Sequence, residues 1–156
     1  MGTIEKLKEY KRLVKKKLRA EKALELIPPT YIISIVSLFD SFYAGLVRCV
    51  FSLKPERLQE SNLTFRYSEI KEYGSIKEIK QVIIDSTIDG LLRDSHVSQI
   101  NWLEKALGVD SLKKFEGWKN FIELTERRNL FVHSEGVVTS QYLTECRKHG
   151  FDVSET

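Results

Sequence analysis

Between Pro28-Pro29 and Lys54-Pro55 runs a stretch of 23 residues, Tyr31 to Leu53, preceded only by Thr30, whose apolar side chains would cover most of a helix circumference. That length is enough to span a bilayer. The stretch also carries Asp40, Arg48 and several serines, however, and each charge at the bilayer centre would cost roughly 3 kcal/mol. The expectation is a buried central helix and no membrane, with Ile32, Ile35, Val36, Phe39, Phe42, Tyr43, Leu46, Val47, Val50 and Phe51 facing neighbours on several sides. A narrow seam of Ser37, Asp40, Ser41, Ala44 and Arg48 interrupts that surface. A charge at Asp40 needs a partner or a shifted pKa, and a basic group from another helix is the simplest answer.

The remaining segments carry helical signals on either side of this stretch. Ile4, Leu7, Val14, Leu18 and Leu24 recur at amphipathic spacing, predicting a long basic helix over residues 1–27 that Pro28-Pro29 end in a hinge. Residues 56–74 are irregular and have no assigned role. Ser75 and Glu78 match a capping box, predicting a helix to about Asp94 with Ile76, Ile79, Val82, Ile83 and Leu91 inward. Ser95 starts another helix that Gly108 stops. Asp110 or Ser111 is expected to cap a long one carrying Phe115, Trp118, Ile122 and Phe121, broken at Gly136. Thr139 caps a last short helix with Tyr142, Leu143 and Cys146 inward, and Gly150 ends it before a tail over residues 150–156. No alternating strand interrupts the pattern, so the fold class is all-α, a five- to six-helix bundle within a single domain, 1–156.

Charge and cysteine content narrow the function. Nine Lys/Arg stand against three Glu in residues 1 to 22, a charge of +6, which leaves −3 for the rest of a chain whose total is +3. Such a block suits an anionic surface, nucleic acid above all, through Lys11, Arg12, Lys15, Lys16 and Arg19; the competing reading is a solvated helix face. Cys49 and Cys146 lack metal-ligand spacing and read as free thiols of a reducing compartment. No signal peptide is expected at the N-terminus, and the expected location is cytoplasmic.

Chemistry concentrates in Glu123 to Ser134, ELTERRNLFVHS, where a helix stops burying hydrophobes and presents Arg127, Arg128, Asn129 and His133. Asn129 and His133 share a helix face. Arg128 and His133 stand about 140° apart on an ideal helix. The guanidinium can swing round, the helix can deform, or a second copy can supply the opposing residue across a twofold axis. An imidazole titrating near neutrality beside a guanidinium fork suffices for metal-free RNA cleavage. A structural role competes with this, Arg128 pairing with Asp40 or Glu126 while His133 closes the helix C-terminus. His96 and His149 are isolated and read as surface residues, and no metal or cofactor is expected.

The segments YIISIVSLFDSF, WLEKALG and FEGWKNFIELTERRNLFVHSEGVVTSQYL, spanning about Tyr31 to Leu143, resemble the HEPN superfamily of helical domains. The likeness rests on the Arg-x4-His motif with Asn after the arginine (Arg128, Asn129, His133), on Gly136, Val137 and Tyr142 beyond it, and on Asp40 in the central helix. The resemblance implies a helical bundle, a homodimer with facing motifs, and in many members metal-independent endoribonuclease activity. On that reading Arg128 and His133 are catalytic and Asn129, Asp40, Glu126 and Tyr142 support them, with Arg127 and the basic helix on RNA. The family recurs in toxin-antitoxin, phage-defence and RNA-processing systems, so an antitoxin or other regulatory protein is an expected partner. Many of its members are non-catalytic scaffolds or binding modules, which is the alternative for this chain.

Overall fold

The computed structural model describes residues 2–60 and 63–153, and within them every regular element is helical. The apolar stretch forms the second half of one long helix, α1 (Thr3–Leu53). The predicted hinge at Pro28-Pro29 does not occur. Each proline removes one N–H donor, which leaves the carbonyls of Leu24 and Glu25 without their helical partners. Both residues are exposed, so water can take those acceptors. Downstream, the Thr30 and Ser34 hydroxyls donate to the carbonyls of Leu26 and Thr30, each at 2.8 Å. Residues 4 to 28 are exposed throughout, so the basic segment projects from the bundle as an extension of α1.

Five further helices follow, α2 (Tyr67–Glu72), α3 (Ile76–Arg93), α4 (His96–Leu107), α5 (Trp118–His133) and α6 (Ser140–Lys148), with short 3-10 turns at Pro55–Glu60 and Leu112–Lys114. Ser75, Ser95 and Thr139 each accept a hydrogen bond from the backbone N–H three residues on, as capping residues do. Gly108 closes α4 at a φ of 74° that a side chain would resist. Helix α5 begins later than its sequence suggests. The ring of Phe115 folds back over Gly117, where an added Cβ would lie 2.7 Å from it, so residues 115–117 form a bend before Trp118.

The core lies between α1, α3 and α4. Tyr43, Val47, Val50 and Phe51 of α1 pack on Ile88 and Leu91 of α3 and on Leu103 and Ala106 of α4. The buried Tyr43 hydroxyl donates to the carbonyl of Gln99 at 2.9 Å, tying α1 to α4. Helix α5 crosses α1 where Phe39 meets Phe121, ring centroids 4.8 Å apart. A smaller cluster joins Leu130 to Tyr142 and Cys146, with Phe151 and Val153 packed against it. The expected tail is therefore docked as far as Val153; residues 154–156 lie outside the described part.

Two expectations of burial fail. Helix α1 is covered on one side only: Tyr31, Ile35, Leu38 and Phe42 remain about half exposed or more, because α3, α4 and α5 pack on a single flank of it. It is long and apolar enough to cross a membrane, yet one face belongs to the core. Ile76 at the start of α3 is 74% exposed, while Ile88 near its end is buried. Accordingly Ile88→Ala should lose about 2–5 kcal/mol in urea denaturation and Ile76→Ala less than about 0.5. Equal losses would contradict this placement of the core.

Candidate functional site

The last two turns of α5 hold the polar triplet against α1 and α4. Arg128 reaches across to α1, where its Nη2 donates to Oδ2 of Asp40 at 3.2 Å. The other carboxylate oxygen of Asp40 contacts His96 Nε2 at 3.1 Å. A carboxylate can only accept, so Nε2 carries the proton and Nδ1 is left as the acceptor. Asp40 thus joins three helices through one side chain.

His96 was expected at the surface and is instead 7% exposed. Phe39 and the edge of Phe121 flank its ring at 5.7 and 5.8 Å. This burial pushes the imidazole pKa below its ordinary value, the Asp40 carboxylate opposes the shift, and Arg128 adds to it. The sequence did carry a signal: His96, Gln99, Ile100 and Leu103 follow three- and four-residue steps, which places His96 on the buried face of α4. His149 is also mostly buried, beside Trp118 and 3.8 Å from the Glu145 carboxylate.

Glu126 interacts with Arg128 by charge but makes no hydrogen bond to it. It accepts a long 3.5 Å hydrogen bond from Asn129, and burial raises its pKa against the pull of that bond. Arg127 and Tyr142 belong to a separate network. Arg127 Nε and the Tyr142 hydroxyl both donate to the same oxygen of buried Glu123, at 2.6 and 2.7 Å. Burial, and Glu123 after it, push the Tyr142 phenol well above its ordinary range. Tyr142 is therefore locked between α5 and α6 rather than free to meet a ligand.

A cleft of about 650 Å³ opens over this arrangement, and Arg128, Asn129, His133, Glu126, His96 and Tyr142 all line it. Although about 140° apart on the helix, Arg128 and His133 line the same cleft, Arg128 bonded to Asp40 and His133 exposed at the helix end. Arg128 Nε is buried without a protein acceptor. The chain leaves α5 through two left-handed residues, Glu135 at φ 52° and Gly136 at φ 80°, and this turn brings Thr139 and α6 back to form the far wall. The volume suits a nucleotide-sized group.

Lys11, Arg12, Lys15, Lys16 and Arg19 are exposed on the projecting part of α1 and do not line the cleft. Arg19 lies about 30 Å from Asp40 along the helix axis at 1.5 Å per residue. Arg12 is engaged with Glu9 at 3.1 Å, an exposed pair of small energetic weight. Cys49 and Cys146 are free thiols. Among the described residues no group of three or more His, Cys, Asp or Glu could hold a metal ion.

No protein-family model, curated protein or solved structure matches this chain.

Removing the shared carboxylate should be felt at both partners. Asp40→Ala is expected to lower stability by about 1–3 kcal/mol, the range for a hydrogen-bonded charged group, held down because Asp40 keeps some solvent. Burial also sets a pH dependence. The unfolded chain takes up a proton as pH falls through about 6.5, folded His96 resists it, and stability drops below that pH. His96→Gln should flatten this part of the profile, measured by urea unfolding between about pH 7 and 5. An unchanged slope would assign the acid sensitivity to other groups.

Proposed function

We propose that this protein is a metal-independent endoribonuclease of the HEPN type, acting on RNA in the cytoplasm. One observation carries the reading: Arg128, Asn129 and His133, the residues of the Arg-x4-His motif, line one nucleotide-sized cleft with the arginine anchored by Asp40. In the reaction the ribose 2′-OH attacks the adjacent phosphorus, the bond to the 5′-oxygen breaks, and a 2′,3′-cyclic phosphate and a 5′-hydroxyl result. His133, exposed at the cleft wall, takes the 2′-OH proton; the leaving 5′-oxygen gains a proton from water or from a second imidazole. The free edge of Arg128 meets the charge that builds on the phosphoryl oxygens, and Asn129 donates to one of them. Asp40 holds the guanidinium in place, and His96 holds Asp40. The exposed lysines and arginines of α1 draw the RNA in by long-range attraction.

A second reading, a non-catalytic HEPN module for dimerisation or for binding RNA, an antitoxin or another regulatory protein, is favoured by the pairing of Arg128 with Asp40. Under that reading the triplet is structural, and Arg128→Ala lowers the melting temperature without any activity to lose.

Incubation with RNA in EDTA separates the two. The endoribonuclease reading predicts cleavage that His133→Ala reduces by about 10²- to 10⁴-fold, the usual range for a positioned acid or base. Unimpaired cleavage by His133→Ala, or none by the wild type across the histidine titration range, would sink it. If the basic segment contacts RNA, affinity should fall steeply with salt. Replacing Lys15, Lys16 and Arg19 by Gln should then shallow the log–log slope by about 0.7 for each lost phosphate contact.

A further inference from the structure

Expelling the 5′-oxygen of RNA requires a proton at that atom, and water is a weak donor near neutral pH. Two proton carriers lining the cleft are already engaged. The Nε2 proton of His96 is held by Asp40 on a buried ring, and the Tyr142 phenol donates to Glu123 at 2.7 Å. Glu126 is placed differently. Its partly buried carboxyl lines the same cleft, and its basic neighbours in sequence are paired elsewhere, Arg127 with Glu123 and Arg128 with Asp40. Resting on the endoribonuclease reading, the geometry points to Glu126 as the general acid of the reaction, giving its carboxyl proton to the 5′-oxygen as the bond to phosphorus breaks.

Placement along α5 supports this role. Glu126 and His133 are two turns apart, which on an ideal helix leaves them about 20° from alignment and about 10.5 Å apart along the axis. Asn129 stands between them on the same face, three residues from one and four from the other. Its Nδ2 donates to Glu126 Oε2 at 3.5 Å, so the carboxyl is turned along the helix toward His133. The Cα–Cβ bond of a helical residue tilts toward the N-terminus, which inclines His133 back toward Asn129. In an in-line displacement the entering 2′-oxygen and the leaving 5′-oxygen lie on opposite sides of phosphorus. A base and an acid, each within about 2.6–3.2 Å of its own oxygen, must therefore stand several ångströms apart with the phosphate between them. A phosphate seated over Asn129 meets that requirement, with His133 on the 2′ side and Glu126 on the 5′ side.

The surroundings of Glu126 favour its protonated form. Burial raises the pKa, the Asn129 bond opposes the rise, Glu145 adds to it, and Arg128 and His149 oppose it. A carboxyl shifted toward neutrality is what a general acid at that pH requires. The phosphate of bound RNA brings a further negative charge into the cleft and adds to the shift. Oε2 accepts from Asn129, which leaves Oε1 to carry the proton. The step balances without a co-reactant. The 2′-oxygen bonds to phosphorus and loses its proton to His133; the bond to the 5′-oxygen breaks, its electron pair stays on that oxygen, and the oxygen takes the proton of Glu126. One turnover leaves His133 protonated and Glu126 ionised, and exchange with solvent restores both.

RNA carrying a single bridging sulfur at the scissile 5′ position tests the assignment, because a thiolate leaves without being protonated. On ordinary RNA, Glu126→Gln should slow single-turnover cleavage by about 10²- to 10⁴-fold. On the sulfur substrate the same variant should stay within about 10-fold of the wild type, the need for an acid having gone. His133→Ala should remain slow on both, since the 2′-OH must still be deprotonated. A glutamine that only disturbs the cleft slows both substrates equally; that result, or full activity of Glu126→Gln on ordinary RNA, would overturn the proposal while the endoribonuclease reading stands. Rescue of His133→Ala by sulfur would overturn it too, by giving His133 the acid's role. A wild type that cleaves neither substrate would end the endoribonuclease reading and this assignment with it.

Discussion

The carboxylate of Asp40 is the contact on which the polar end of the bundle depends. A charge on a mostly apolar helix is unfavourable unless it is paired, and here one oxygen takes Arg128 while the other takes His96. The two bonds draw α5 and α4 onto the same turn of α1. They also explain why an arginine sits among the packed residues of α5 and why a histidine is tolerated beneath Phe39 and Phe121. The guanidinium is held through Nη2 at the edge of the cleft that Arg128 also lines. Catalytic and structural readings of the motif thus share the same geometry, because anchoring an arginine and presenting it are compatible uses of one side chain.

Helix α1 carries a division of labour along and around its length. Its second half supplies half of the main core on one flank through Tyr43, Val47, Val50 and Phe51. The other flank of the same segment is apolar and open, and the first half is basic and solvated. The two prolines sit between these regimes without breaking the helix, since exposed carbonyls lose little when water replaces an intrachain donor. Continuity matters here. A hinge would uncouple the basic segment, whereas an unbroken helix holds it in fixed register with Asp40.

Much of the architecture was legible locally. Ser75, Ser95 and Thr139 marked helix starts through short side-chain bonds to nearby backbone, and Gly108 and Gly150 marked stops through backbone angles that other residues resist. The motif itself was legible as an excess of polar chemistry on a packed helix. Its surroundings were only partly so. The pairing of Asp40 with a basic group was anticipated in kind, with Arg128 as one of its possible partners. The part played by His96, 56 residues away in sequence, was not. Glu126 and Arg127 lay close enough in sequence to be assigned by proximity, and the structure gave them Asn129 and Glu123 instead.

What the sequence determined by itself is the helical class, most helix boundaries and the presence of a cation, an amide and an imidazole at one helix end. These follow from hydrogen bonds and periodicities that close within a few residues. Only the tertiary structure decided which flank of α1 is buried, that His96 lies under the cleft, and that Arg128 and His133 meet one cavity despite their angular separation. Those outcomes depend on which helices come together. An apolar residue carries the same drive to leave water on either side of a helix, and the number and placement of neighbouring elements determine which side is covered.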